Sequence, residues 1–298
     1  MKTIKTIQAM REVANDYHHQ NQTIGFVPTM GYLHDGHLAL VKEARKQNDI
    51  VVASVFVNPL QFNQSTDLNH YPRDFDRDER LLKAEAVDYI FYPNVEEMYP
   101  KELSTELSLA KRGDVLCGAT RPGHFEGVLV VLTKLFNIIS PHRVYFGLKD
   151  AQQVAVVDGL IEDFNFSTEL VPVPTTRESD GLALSSRNVR LTEDERLEAP
   201  IIYQALQAGQ SLIVNHQDWK RDDILHLIND YLQDIQGTID YIDCLSYPGL
   251  SSDIQAEHDI IIAVAVQYQD ARLIDNVILR PDGKFKYGGE MNATENAK

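Results

Sequence analysis

The chain has 298 residues, 43% hydrophobic and 24% charged, a globular usage that excludes disorder, collagen-like repeats and coiled coil as the main architecture. Its length points to roughly two domains. With 44 acidic against 28 basic side chains the net charge is −16, which disfavours a tRNA or DNA partner but still permits a nucleotide in a local cationic pocket. Two cysteines, Cys117 and Cys244, far apart and outside any C-x-x-C, rule out a disulfide framework and a cysteine zinc site, and suit a reducing cytosol. The N-terminus has no signal-like apolar run, and no apolar stretch reaches the roughly 18 residues of a membrane helix. A soluble, cytoplasmic protein is expected.

In chain order, strand-like apolar runs fall at 23–30, 49–58, 87–93, 143–149 and 168–175. Helical patterns lie between them. The clearest is the i, i+3, i+4, i+7 stripe Phe125, Val128, Leu129, Leu132, Leu135, Phe136, Ile139; another carries Val154, Val157, Ile161 and Phe164. Near-continuous apolar strands alternating with amphipathic helices predict an α/β domain over 1–175, with a Rossmann-like, doubly wound parallel sheet. Ligands of such sheets bind beyond the carboxyl ends of the strands.

The pattern changes after about residue 175. Thr192 and Glu195 have capping-box spacing, and Pro200 suits the first position of the next helix. A stripe of Ile224, Leu225, Leu227, Ile228, Tyr231, Leu232 and Ile235 precedes strand-like runs at 238–246, 259–267 and 272–279. Residues 176–286 therefore read as a smaller α+β domain with a largely antiparallel sheet. The polar stretch 287–298 is expected to be disordered.

Four segments carry chemistry. PTMGYLHDGH, 28–37, follows the first long strand and enters a helix. A helix N-terminus is an anion site, Gly31 and Gly36 would let backbone approach a phosphate, and His34 and His37 would stabilise charge at phosphorus. Two surface histidines in a polar loop are the competing reading. A zinc reading lacks H-E-x-x-H and a third ligand. A Walker A reading fails because His37 and Leu38 stand where Lys and Ser/Thr belong. GLKDAQQ, 147–153, brings Lys149 to a strand end as a point charge for polyphosphate, with Gln153 a turn further on; the alternative is a solvated surface lysine. LSSRN, 184–188, offers two hydroxyls and a guanidinium in a linker. NPLQF, 58–62, places Gln61 near the same edge, or is simply a capped turn.

Together these segments resemble the pantothenate synthetase (pantoate–β-alanine ligase) family of the H-x-G-H nucleotidylyltransferase superfamily. FVNPLQF, YPRDFDRD, RPGHFEGV, FGLKDAQQ and DGLALSSRN match it in order and spacing across about residues 25–190. The resemblance implies ATP contacts from Met30, Gly31, Tyr32, Leu33, His34, Asp35, Gly36 and His37, with His37 as candidate proton donor. It further implies ATP contacts from Gly147, Leu148, Lys149 and Asp150, from Thr176, and from Leu184, Ser185, Ser186 and Arg187 closing over the triphosphate. Gln61 and Gln153 would hold pantoate. His34, His37, Lys149 and Arg187 would be the catalytic set. No metal ligand is identified. Cys117 stands where some members carry Glu, so no metal or dimer role of that Glu carries over, and Cys117 reads as a buried small hydrophobe.

The implied reaction is ATP + pantoate + β-alanine → pantothenate + AMP + pyrophosphate through pantoyl adenylate, with Mg²⁺ on the phosphates and a homodimer as the assembly. A carboxylate already ionised at neutral pH needs alignment and charge stabilisation rather than a general base. The alternative is an H-x-G-H nucleotidylyltransferase such as a phosphopantetheine adenylyltransferase. A tRNA synthetase and a non-catalytic nucleotide sensor are weaker readings.

Overall fold

The computed structural model describes residues 1–63, 65–216 and 218–288. Six strands pair in parallel throughout: β1 (Lys2–Ile4), β2 (Ile24–Thr29), β3 (Ile50–Val55), β4 (Tyr89–Phe91), β5 (Arg143–Gly147) and β6 (Glu169–Val173). Their order is β1-β4-β3-β2-β5-β6. β3 is buried at every residue, as a strand covered on both faces must be. Val27, Val41, Ala44, Val51, Ala53, Leu82 and Ile90 form a core on which helices Asp35–Gln47 and Phe75–Ala84 pack.

The chain winds outward from β2 in both directions, so strand order reverses between β2 and β5. That reversal marks the ligand edge of a doubly wound sheet. β2 pairs with β3 over six residues, but with β5 only at Gly25 and Phe26. Pro28, which has no N–H to donate, lies past the last β5 pair. The two central strands thus end their pairing early, and residues after β2 are released from the sheet.

Several expectations need correction. The run 143–149 is strand only to Gly147; Leu148–Asp150 is a 3₁₀ turn leading into helix Ala151–Asp163. Leu148 is buried in that turn, which is why its apolar character reads as strand. Phe164 is 58% exposed and lies past the helix end, so it leaves the apolar stripe. Asn165, at φ 52°, turns the chain, and Phe166 takes the inward place, edge-to-face with Phe136 at 5.4 Å. Strand β1 and helix Ile7–His19, capped by Thr6, were not anticipated.

The chain divides into two compact units: Met1–Gly147 with Gln152–Val173, and Leu148–Ala151 with the stretch from Pro174 onward. In the second, β7 (Thr238–Tyr247), β8 (Asp259–Gln267) and β9 (Arg272–Leu279) form an antiparallel sheet in sequential order. Helices Ile201–Asn215 and Arg221–Leu232 pack against it through Leu206, Ile224 and Ile228 onto Cys244, Ile262 and Val264. Each fully buried side chain of this size contributes about 1.5–3 kcal/mol. Thr192 and Glu195 form the expected reciprocal cap of helix Glu193–Glu198. Pro200 is the cap residue of helix Ile201–Asn215, one place earlier than expected. Ile235 lies past its helix yet packs on the core. Of the stretch 287–298, residues 289–298 lie outside the described residues. No helix among the described residues is long and apolar enough to cross a membrane.

Candidate active site

In the first unit the candidate residues begin on the segment released after β2. Gly31 (φ +85°) and Tyr32 (φ +54°) are consecutive left-handed residues. A Tyr in that region stores strain that its surroundings must offset. Asp78 does so: its buried carboxylate accepts the Tyr32 N–H at 2.7 Å and the Leu33 N–H at 2.8 Å. Arg77 Nη1 donates to the Leu33 carbonyl at 2.7 Å, and its guanidinium lies 5.5 Å from the Tyr32 ring centre. Burial nonetheless pushes the Asp78 pKa above the ordinary carboxylate value, outweighing the two amide donors and Arg77.

The loop then enters helix Asp35–Gln47 through the two histidines. His34 Nδ1 accepts the Gly36 N–H at 3.2 Å, and His37 Nδ1 accepts the His34 N–H at 3.3 Å. The rings lie 4.1 Å apart between centres. In this reciprocal cap the Gly36 and His34 N–H groups are taken by the histidines themselves. With each Nδ1 accepting a backbone N–H, each ring carries its proton on Nε2. A Cβ on Gly31 would lie 2.9 Å from Asp78 Oδ2, and one on Gly36 would lie 2.9 Å from His34 Cε1. Both make room for side chains of the protein itself. Leu33 is buried and Asp35 exposed.

Gln61 is buried at the end of the 3₁₀ turn Pro59–Gln61. Its Nε2 meets Met30 Sδ at 3.2 Å, joining the segments after β2 and β3. Asn58 orients it. Asn58 Nδ2 donates to Gln61 Oε1 at 3.1 Å and to the Gly127 carbonyl at 3.0 Å. Its Oδ1 accepts from Tyr99 OH at 2.9 Å and Leu60 N–H at 3.3 Å. Burial raises the Tyr99 pKa strongly, so the hydroxyl stays a donor. His124 Nδ1 meets the Gln61 carbonyl at 2.8 Å. The NPLQF turn is therefore both capped and aimed. Asn58, Asp78, Tyr99 and His124 were not singled out from sequence, though three lie in quoted segments; nothing in composition or spacing separates a positioning side chain from its neighbours.

Of the adjacent glutamines, Gln152 is structural. It is buried, accepts Gly118 N–H at 3.3 Å, and donates to the carbonyls of Arg112 and Val115 at 2.9 and 2.7 Å. Gln153 is half-buried in helix Ala151–Asp163. Cys117 is buried in the segment Gln152 holds and forms no disulfide.

The second unit carries Lys149, whose side chain is 18% exposed with Nζ 3.9 Å from Asp150 Oδ2. Lys149 and Ser185 line one small cavity with Asn188, Tyr203 and Asp275. Thr176 and Leu184 face each other across a hairpin closed by Leu184 N–H to the Thr176 carbonyl at 3.0 Å. Ser185 Oγ accepts the Arg187 N–H at 3.2 Å, and Asn188 Nδ2 donates to the Ala183 carbonyl at 3.1 Å. Ser186 and Arg187 are half-buried. Gly147 ends β5 in the first unit. Among the described residues, no three His, Cys, Asp or Glu side chains converge as a metal site.

An α/β sheet with a polar, imidazole-bearing loop at its strand-order reversal defines a nucleotide-handling class. Within it, the pantoate-beta-alanine ligase family model matches residues 2–278, and the chain belongs to that family. The pantothenate synthetase of Geobacillus sp. (strain WCH70) is 56% identical over 274 residues, covering 92% of this chain and 97% of that protein. That of Bacillus cereus (strain G9842) is 52% identical, covering 94% and 99%. The crystal structure of pantothenate synthetase from Thermus thermophilus aligns with a TM-score of 0.84 at 43% identity, over 93% of this chain and 99% of that one. The Francisella tularensis pantoate-beta-alanine ligase, solved with beta-gamma ATP and beta-alanine, aligns at 0.75 and 34% identity over 93% and 97%. This family membership sets aside the phosphopantetheine adenylyltransferase reading.

Proposed function

We propose that the chain joins pantoate to β-alanine at the expense of ATP, through a pantoyl adenylate, with His34, His37, Lys149 and Arg187 carrying the first step. The family match over residues 2–278 supports the reaction. The single observation that supports the roles is the pair of imidazoles at the helix start, each fixed by a backbone N–H donated to its Nδ1.

Pantoate's carboxylate is ionised at neutral pH and attacks the α-phosphorus; the α-phosphorus–oxygen bond to pyrophosphate breaks. This step requires in-line alignment and donors aimed at the phosphoryl oxygens. His34 and His37 supply Nε2–H hydrogen-bond donors to the phosphoryl oxygens, His37 to those of the departing pyrophosphate. Lys149 and Arg187 supply positive charge along the triphosphate, aided by the Ser185 and Ser186 hydroxyls. The backbone around Met30 to Leu33, Gly147 to Asp150, Thr176 and Leu184 holds the nucleotide. Gln61 and Gln153 fit pantoate because a carboxamide both donates and accepts, matching hydroxyls and a carboxylate. The β-alanine amine then attacks the acyl carbon and AMP leaves. Mg²⁺ belongs to the substrate as the ATP complex, where phosphate oxygens and waters meet its coordination and it neutralises phosphate charge. The remaining reading is a cytoplasmic homodimer acting on small molecules without nucleic acid or membrane.

The test is a rapid quench of enzyme, Mg-ATP and pantoate without β-alanine. About one equivalent of pyrophosphate per site is expected, followed by joint release of AMP and pantothenate once β-alanine is added. Pyrophosphate formed only when β-alanine is present refutes the two-step order.

A further inference from the structure

Lys149 follows directly on the parallel sheet in sequence, yet its turn is held by the antiparallel one. Asn276, on β9, is 7% exposed. Its Nδ2 donates to the Leu148 carbonyl at 2.9 Å and to the Lys149 carbonyl at 3.0 Å. These two oxygens belong to the peptide planes on either side of the Lys149 Cα. Peptide units are rigid, and only φ and ψ are soft at each residue. Fixing the plane before and the plane after Lys149 therefore fixes both of its backbone torsions. The direction of the Lys149 Cα–Cβ bond follows, and with it the arc its ammonium can reach.

Asn276 is itself braced. Its backbone N–H donates to Asp275 Oδ1 at 2.8 Å. Asp275, 5% exposed, pairs both carboxylate oxygens with Arg177 at 2.6 and 2.9 Å. Arg177 stacks on Tyr203, 3.6 Å from the ring centre, and donates to the Gly181 carbonyl at 3.1 Å. Arg177 also opens the bridge to Ala183, in the hairpin that sets Thr176 opposite Leu184. Two successive β9 residues thus brace both phosphate-directed segments of the second unit. A buried carboxamide must find partners whatever its purpose. The choice of partners is what distinguishes this one, because any other pair of carbonyls would leave Lys149 unspecified.

We infer that Asn276 is a positioning residue for adenylate formation, fixing the backbone of Lys149 so that its ammonium is aimed before ATP binds. The inference rests on the reading of Lys149 as a phosphate ligand.

The test is a double-mutant cycle of Asn276→Ala and Lys149→Ala, read by single-turnover pyrophosphate release from Mg-ATP and pantoate, with ATP KM measured alongside. Asn276→Ala is expected to lower the rate about 10- to 100-fold, the range for a misplaced catalytic group, with ATP KM changed less than about threefold. In the Lys149→Ala background, itself slowed by roughly 10²–10³-fold, the same change should cost almost nothing further, because there is no ammonium left to aim. Asn276→Ser, whose hydroxyl can serve one of the two carbonyls, should recover part of the rate; it carries the cycle if the alanine variant does not fold. A loss that multiplies in the Lys149→Ala background would show a merely structural Asn276 and overturn the inference alone. A normal rate in Lys149→Ala would overturn the inference together with the reading beneath it.

Discussion

Gly127 tests whether the segment holding Gln61 is as tightly set as its contacts imply. It lies inside helix His124–Ile139, where exchanging Gly for Ala ordinarily stabilises by about 1 kcal/mol. Here a Cβ would lie 2.3 Å from the Leu60 carbonyl oxygen, 2.5 Å from its carbon and 2.6 Å from the Gln61 nitrogen. All three are backbone atoms, so no side-chain rotation relieves the clash, and helix and turn must separate by roughly 1 Å to regain ordinary contact. Overpacking of this kind costs about 1–3 kcal/mol, which cancels or modestly exceeds the helix gain. Function should suffer far more than stability. The moved turn carries Gln61, and Asn58 bridges Gln61 to the Gly127 carbonyl, so the carboxamide proposed to hold pantoate shifts with it. A displacement of about 1 Å at a substrate-positioning group costs on the order of 10²-fold. Gly127→Ala should therefore unfold in urea within about 2 kcal/mol of wild type, while kcat/KM for pantoate falls by one to two orders of magnitude. Unchanged pantoate kinetics in a protein stabilised by the full helix gain would refute the argument.

Asp78→Ala strands the Tyr32 and Leu33 N–H groups and frees a left-handed Tyr32 to relax; we expect a loss of about 2 kcal/mol or more, with slowed adenylate formation, and a wild-type rate would show that the loop needs no anchor. Glu195 has its pKa lowered by the Thr192 and then the Gln269 N–H donors, so its contribution is present above the ordinary value of 4.5 and is lost as pH falls through the lower folded value. The stability advantage of wild type over Glu195→Gln should therefore be flat above about pH 5 and shrink toward pH 3; an advantage that grows on acidification has the opposite sign and would be decisive. Burial pushes the Cys244 thiol up to about 12, so iodoacetamide at about pH 8 should label it only after unfolding, and rapid labelling of the folded chain would contradict its place in the core.

Long apolar periodicities were the most legible part of the sequence, because burial on both faces leaves no alternative residue type. Strands β8 and β9 fall where the pattern places them, and helix His124–Ile139 shows its stripe unambiguously. Legibility failed at element ends. The pattern of 143–149 gives no reason to stop at Gly147, since Leu148 is as buried in a 3₁₀ turn as in a strand. It failed again for β1, whose three residues are too few to show a period.

For the site, the motif residues draw attention through the family resemblance of their segments rather than through their chemistry alone, since His34 and His37 also read as surface histidines and Lys149 as a solvated lysine. Their supports do not. Asp78 and Asn58 look like any polar loop or helix residue until the backbone groups they serve are known, and those groups lie 46 and 69 residues away for the Tyr32–Asp78 and Asn58–Gly127 pairs. Asn276 is the extreme case, acting 127 residues from Lys149 on carbonyl oxygens that every residue possesses. A reacting group is specified by its side chain and can be read locally. A positioning group is specified by the backbone it fixes, and that becomes visible only once distant strands are paired.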